Sequence, residues 1–209
     1  MLDTPNRDRV AERREATRRE IIDAAWTIAR ENGLASLTLR DVASRVGMRA
    51  PSLYSHFESK NAIYDAMFEQ AWSDYELSQA AAMAELAEHP RAAAKQMARH
   101  FYDYATADLA RHQLMDVRVI PGFEPSEAAY APAVRVLDAG KALLQELGID
   151  SQDDLEIWLA LIGGLVNQHH ANDPAGTRHS GLVDRAVDMW ADSVGLPPES
   201  RSTSRKSRR

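Results

Sequence analysis

Apolar residues recur at three- and four-residue spacings along most of the chain, the pattern of helices with one face turned inward. In the first strong stretch, from Arg13 onward, Ile21, Ile22, Ala25, Ile28 and Ala29 form one stripe. Gly33 follows, where the end of a helix favours a residue with left-handed backbone. Thr38-Leu-Arg-Asp41 has the form of a capping box, with Asp41 in place of the usual Glu or Gln. It opens a short helix that turns Val42, Ala43 and Val46 inward, and Gly47 ends it. Pro51 then stands in the first turn of another short helix, with Leu53 and Phe57 on its apolar side. Ser59 caps a further helix that carries Ile63 and Met67 and runs through Trp72.

Beyond residue 75 the periodicity predicts longer helices at 76–88, 91–107, 108–117, 127–147, 152–171 and 178–195. His89-Pro90, Pro121 to Pro125, Gly148 and Asn172 to Gly176 mark the breaks, and Ser151 to Asp154 repeats the capping-box form. No segment alternates as a strand would, and no internal repeat is present. The fold class is all-α. Pro197 to Arg209 is rich in Ser and Arg and has no apolar residue with which to pack, so a disordered basic tail is expected over 197–209.

Composition narrows the chemistry. Cysteine is absent from the 209 residues, which excludes disulfides, thiolate metal ligands and thiol nucleophiles. The N-terminus has no apolar core of the kind a secretory signal needs. The longest mainly apolar run, Trp158 to Val166, is too short to span a bilayer. A cytoplasmic location without membrane insertion is therefore expected. The net charge of −6 argues against a polyanion partner until it is divided along the chain. Residues 1–60 carry 11 Lys/Arg against 9 Asp/Glu, residues 61–196 carry 9 against 21, and residues 197–209 carry 5 against 1. A basic head on a strongly acidic body suggests that one end meets polyanion while the rest does something else.

The stretch 38–60, TLRDVASRVGMRAPSLYSHFESK, carries the motif. Two short helices joined by a three-residue turn containing Gly have the helix-turn-helix arrangement. In that arrangement the second helix lays its N-terminal residues in the DNA major groove. Residues outside the Leu53/Phe57 stripe face the groove: Arg49, Ala50, Pro51, Ser52, Tyr54 and Ser55. Their hydrogen-bonding and apolar groups suit base edges and thymine methyls, while Tyr54, His56 and Lys60 are placed to hold phosphates.

Ile21-Ile-Asp-Ala-Ala25, Gly33 to Leu39, Asp41-Val-Ala43, Gly47, Leu53-Tyr-Ser-His-Phe57 and Lys60 together resemble the DNA-binding domain of the TetR family of bacterial transcription regulators over about 17–70. The resemblance implies base-facing roles for Arg40, Arg49, Ala50, Pro51 and Tyr54. It implies phosphate-facing roles for Thr38, Ser52, Ser55, His56 and Lys60. Arg49 departs from the family, where small residues are common at this point. The implied organisation is a basic N-terminal arm at 1–16, the helix-turn-helix domain at 17–70, a helical ligand-binding and dimerisation domain at 71–196, and the tail. Arg7, Arg9, Arg13, Arg14, Arg18 and Arg19 in and after the arm either reach DNA or belong to a solvated face interleaved with Asp8, Glu12, Glu15 and Glu20.

Family architecture implies an effector pocket among the middle helices and a homodimer through the last two. Trp72, Met97, Phe101, Tyr104, Arg118, Phe123, Tyr130 and Trp158 are the candidate lining, suited to a hydrophobic small molecule with a polar group. For the dimer, LEIWLALIGGLV at 155–166 is apolar almost all round, so it is expected to bury more than one side. The candidate interface is Leu155, Leu159, Ile162, Gly163, Gly164, Val166, Leu182, Ala186, Val187 and Trp190. The expected function is a repressor on palindromic double-stranded DNA, released by a small-molecule effector, with no cofactor and no metal. Two other readings remain: a DNA-bound adaptor without effector, and a metal-dependent enzyme built on His169, His170, Asp173 and His179. Adjacent histidines on one helix point in different directions, which disfavours chelation of a single ion.

Overall fold

The computed structural model describes residues 5–199 and has no strand among them. The helices are α1 (Pro5–Asn32), α2 (Leu39–Arg45), α3 (Ala50–Leu53), α4 (Lys60–Met83), α5 (Pro90–Thr106), α6 (Leu109–Asp116), α7 (Glu127–Glu146), α8 (Gln152–Asn172) and α9 (Val183–Ser193), with short 3-10 turns at Leu34–Ser36 and Ser180–Leu182. The helix starts follow the sequence signals. Thr38 Oγ1 accepts from Asp41 N at 3.2 Å, Ser59 Oγ from Ala62 N at 3.1 Å and Ser151 Oγ from Asp154 N at 3.2 Å.

Three boundaries differ from expectation. α1 begins at Pro5, so the arm expected over 1–16 is helical from there and continuous with the first apolar stripe; residues 1–4 lie outside the described chain. No separate helix covers 76–88, because nothing between Trp72 and Met83 breaks α4. The helix expected at 178–195 begins at Val183, after the turn at Ser180–Leu182. Of the expected tail, 200–209 lie outside the described residues.

The described residues divide into two compact units, one comprising 5–76 and 108–136 and the other 77–107 and 137–199. In the first, α1, α2, α3 and the start of α4 close around Ile21, Ala25, Leu37, Val42, Leu53, Ile63 and Met67. Segment 108–136, assigned from the sequence to the second domain, packs in this unit. Arg30 Nε meets Asp108 Oδ2 at 2.8 Å, and Asp65 accepts both the amide and the hydroxyl of Ser126, at 2.6 and 2.7 Å. Phe123 lies 5.5 Å from the Tyr64 ring, and the Tyr64 hydroxyl donates to Leu34 O.

In the second unit α5 packs on α8 and α9 around Ala98, Tyr102, Leu155, Ile162, Val166, Val187 and Trp190. Arg91, 6% exposed, ties the chain after α9 to α5. It donates to Leu196 O at 2.6 Å and Pro197 O at 3.2 Å and pairs with Asp192 at 2.6 Å. Lys95 adds Asp188 and Glu199, each at 2.8 Å. Residues 197–199, expected to begin the disordered tail, are thus tied to α5 by specific partners. Arg91→Met strands two carbonyls and should lower stability by about 2 kcal/mol, read by urea denaturation. A change near zero would mean that the anchor contributes nothing.

Candidate nucleic-acid interface

α2 and α3 are joined through Gly47, whose φ of 70° demands a residue without Cβ. Met48 N closes back on Ala43 O at 2.8 Å, so the turn is fixed by backbone bonds. Arg49 precedes α3 in extended conformation and Pro51 occupies its first turn, where the missing N–H costs nothing. Leu53 and Phe57 point inward, 0% and 2% exposed. Those two anchors dictate which residues face out.

Arg40, Arg49, Pro51, Ser52, Tyr54 and Ser55 are exposed, Tyr54 by 54%. Arg40 and Arg49 make no ion pair among the described residues, whereas nearby Arg45 is engaged by Glu31 in two bonds of 3.0 and 2.7 Å. That pairing raises the pKa of Arg45 and lowers that of Glu31. Ala50 is half-buried and packs against the core, leaving only part of its methyl for a base. Of the phosphate-facing candidates, Thr38 is exposed, but its hydroxyl is committed to the cap, donating to Asp41 Oδ2 at 2.6 Å. Ser55 Oγ donates to Ser52 O at 2.7 Å. Lys60 stands at the start of α4 with Nζ 5.5 Å from the Tyr64 ring centre. His56 is half-buried, with its Nδ1 buried and unpartnered.

The arginines before the motif do not behave alike. Arg13 and Arg19 are exposed, but Arg14 Nη2 donates to Ser55 O at 3.1 Å and Arg18 Nη1 to His56 O at 2.5 Å. The Arg18 guanidinium also lies 4.1 Å over the centre of the Phe57 ring. One sequence signal pointed there: Arg14 and Arg18 continue, at four-residue spacing, the stripe of Ile21, Ile22 and Ala25. Both line an open cleft of about 420 Å³ with His56, Glu58, Asp65 and Glu69.

Within the second unit the candidate interface residues divide by burial. Leu155, Ile162, Val166, Val187 and Trp190 are 0–4% exposed and serve the chain's own core. α5 lies against that side of α8 and α9. Leu159, Gly164 and Leu182 are exposed, and Gly163 and Ala186 are half-buried. Ile157 at 50% and Met189 at 63%, which the sequence reading omitted, enlarge the open apolar set.

The eight candidate pocket residues divide evenly. Trp72, Arg118, Phe123 and Tyr130 lie in the first unit, and Met97, Phe101, Tyr104 and Trp158 in the second. Neither unit by itself holds the whole set. Arg118 is exposed, Tyr130 stacks on Phe68 with ring centres 5.8 Å apart, and Met97 is buried in the second unit. The His169 and His170 rings are 5.4 Å apart and tilted by 73°, with His170 Nε2 on Ala105 O at 3.0 Å. Asp173 Oδ2 accepts from Arg178 N at 2.9 Å. Among the described residues no group of three or more His, Cys, Asp or Glu is placed to hold a metal ion.

Residues 21–67, which span these elements, match the family described as "Bacterial regulatory proteins, tetR family". The tetracycline repressor protein class A from transposon 1721 of Escherichia coli is 28% identical over 79% of this chain and 73% of its own length. A TetR family transcription regulator from Marinobacter aquaeolei VT8 superposes with a TM-score of 0.65 at 14% identity, over 88% of this chain and 98% of its own. FadR from Bacillus subtilis, solved in complex with stearoyl-CoA, superposes with a TM-score of 0.65 at 15% identity, over 86% and 99%. At such identities the two superpositions speak to the fold. The matched helix-turn-helix segment and the repressor aligned along most of the chain agree with that fold: residues 21–67 are a DNA-binding segment of the TetR type, in a chain similar to TetR-family regulators along most of its length.

Proposed function

We propose that the protein is a homodimeric, sequence-specific DNA-binding transcriptional regulator of the cytoplasm, a repressor whose hold on a palindromic operator is released by a small molecule. One observation carries the reading. A core-anchored helical turn presents Arg49, Pro51, Ser52 and Tyr54 to solvent, and Arg40 is exposed in the first turn of α2. Such a face offers donors for base edges and cations for phosphates on one rigid support. The relatives compared above are regulators by their names, and no helix among the described residues is long and apolar enough to cross a membrane.

The effector side rests on relatives. The aligned repressor is named for tetracycline and the superposed FadR was solved with stearoyl-CoA. For this chain we assign a hydrophobic molecule with a polar group, in keeping with the aromatic and Met side chains of the candidate lining. An effector that prefers one of two head arrangements by ~1–3 kcal/mol shifts DNA affinity by the matching factor.

Selection from random duplex DNA tests the reading. A two-fold dimer should enrich near-palindromes with half-sites about 34–36 Å apart or a multiple of that. Asymmetric single sites, or no enrichment, would overturn it. On the selected operator, Lys60→Ala should weaken binding to all sequences and reduce the salt slope by about one unit. Tyr54→Ala should lose more on the operator than on random DNA. Equal proportional losses on both DNAs for both variants would show that the base and phosphate roles are wrongly divided.

A further inference from the structure

α3 is a single turn, Ala50–Leu53, and an isolated helix of that length does not hold its shape in water. Its inner side is fixed by Leu53 and Phe57. Its exit is closed by His56 N and Phe57 N, both donating to Leu53 O at 2.9 and 3.0 Å. The carbonyls of Ser55 and His56 lie beyond that last turn, and α1 supplies their donors. Arg14 Nη2 reaches Ser55 O and, one turn further along α1, Arg18 Nη1 reaches His56 O. Two successive carbonyls are thus gripped from one helix face, across 41 and 38 residues of sequence.

We propose that Arg18, assisted by Arg14, is a positioning residue for DNA reading: it locks the exit of α3 to α1 and so fixes the pose of Tyr54 and Ser55 without contacting phosphate. The inference rests on the DNA-binding reading above. Arg18 is half-buried, and its planar guanidinium covers the Phe57 ring at 4.1 Å while donating to His56 O. A compact ammonium cannot offer that flat face and fork of donors together. The helix that carries the clamp is rigid where it matters, since Ile21 and Ala25 are 0% exposed. Positive charge at the carbonyl end of a helical turn is also the favourable polarity. The clamped carbonyls belong to Ser55 and its successor, next to the most exposed aromatic of the reading face. An error in their position passes directly to the groups that meet bases.

The salt dependence of operator binding separates positioning from phosphate contact. Arg18→Met should lose about tenfold or more in operator affinity, the equivalent of one hydrogen bond from a charged donor. The slope of log K against log salt should stay at the wild-type value, and affinity for random DNA should change little. Arg18→Lys should fail to restore operator affinity fully. Hydrogen exchange of full-length protein should show the amides of His56 and Phe57 opening faster in Arg18→Met, with those of α8 unchanged. Arg14→Met, whose side chain is exposed and whose loss leaves the core intact, should give the same signature at smaller amplitude and serves if Arg18→Met does not fold. A slope reduced by about one unit would assign Arg18 to a phosphate and overturn the proposal. So would unchanged operator affinity, or unchanged exchange at His56 and Phe57 in whichever variant folds. If wild-type protein enriches no DNA at all, the DNA-binding reading fails by itself, and the exchange experiment still decides whether the clamp exists.

Discussion

Trp190→Ala should cost about 3–5 kcal/mol of stability, the range for truncating a large aromatic in a packed core. Trp190 is 2% exposed and sits among Leu155, Ile162, Val166, Val183 and Val187, in the unit formed by α5, α8 and α9. Its indole Nε1 also donates to Asp154 O at 2.9 Å, so the residue joins α9 to the first turn of α8 as well as filling the space between them. The truncation therefore leaves a cavity and removes a hydrogen bond together. Trp190→Phe separates these contributions: it keeps most of the packing and should cost only part of the Ala penalty, including about 1 kcal/mol for the lost bond. Urea unfolding of both variants, followed by circular dichroism, gives the two values. A Trp190→Ala cost below about 1 kcal/mol would mean that the site collapses around the missing ring rather than holding its packing.

How much of this was legible in the sequence varied with the kind of signal. Helix starts were legible because capping is local: Thr38, Ser59 and Ser151 each bond an amide three residues on. The exposed set around α3 was legible for the same reason, since Leu53 and Phe57 declare the inner side and Arg49, Pro51, Ser52, Tyr54 and Ser55 are exposed. The N-terminal extension of α1 was hidden because Pro5 to Ala16 offers no apolar stripe to count, only residues of good helix propensity such as Arg, Glu and Ala. The loop after α8 is organised by Asp173, whose side chain takes the Arg178 amide and leaves no room for a Cβ at Gly176, which would come within 2.0 Å of Asp173 Oδ1. Composition announced a break there but not its geometry.

Long-range pairing was not legible at all. Nothing in the periodicity says that Asp108 meets Arg30, that Ser126 meets Asp65 or that Arg18 meets His56 O. These contacts place 108–136 with the N-terminal helices and turn part of an expected basic arm into a support for α3. The same limit explains the interface residues. Periodicity marked 155–166 as apolar on several sides but could not say which side α5 would cover. Only burial separates Leu155, Ile162 and Val166, which face inward, from Ile157, Leu159 and Gly164, which do not.

Gly164→Arg should abolish the proposed dimer and, with it, operator binding, although every residue of the exposed face of α2 and α3 is intact. Ile157 and Leu159 on α8, Leu182 in the turn before α9 and Met189 on α9 are 40–63% exposed. Exposed apolar side chains gathered on one surface mark an interaction site, and Ile157 lies on the same face of α8 as Gly164, seven residues on. A two-fold contact buries the same patch on both copies at once. Gly164 is exposed on α8, and a Cβ built there, or at Gly163, meets nothing within 4 Å in the single chain. The substitution is therefore harmless to the protomer, and replacing Gly within a helix by Arg even favours the helix by several tenths of a kcal/mol. In the proposed dimer, however, the new side chain would hold two helices apart and bring an unpaired charge between them, at a cost of several kcal/mol. Sedimentation should show a folded monomer, or aggregates from the uncovered patch, with helix content as in the wild type. Operator affinity should fall by orders of magnitude, because a lone head makes half the contacts and lacks its tethered partner. Met189→Glu, at the most exposed position of the set, should weaken the dimer in the same direction. A Gly164→Arg protein that sediments as a dimer and binds operator like the wild type would place the interface elsewhere.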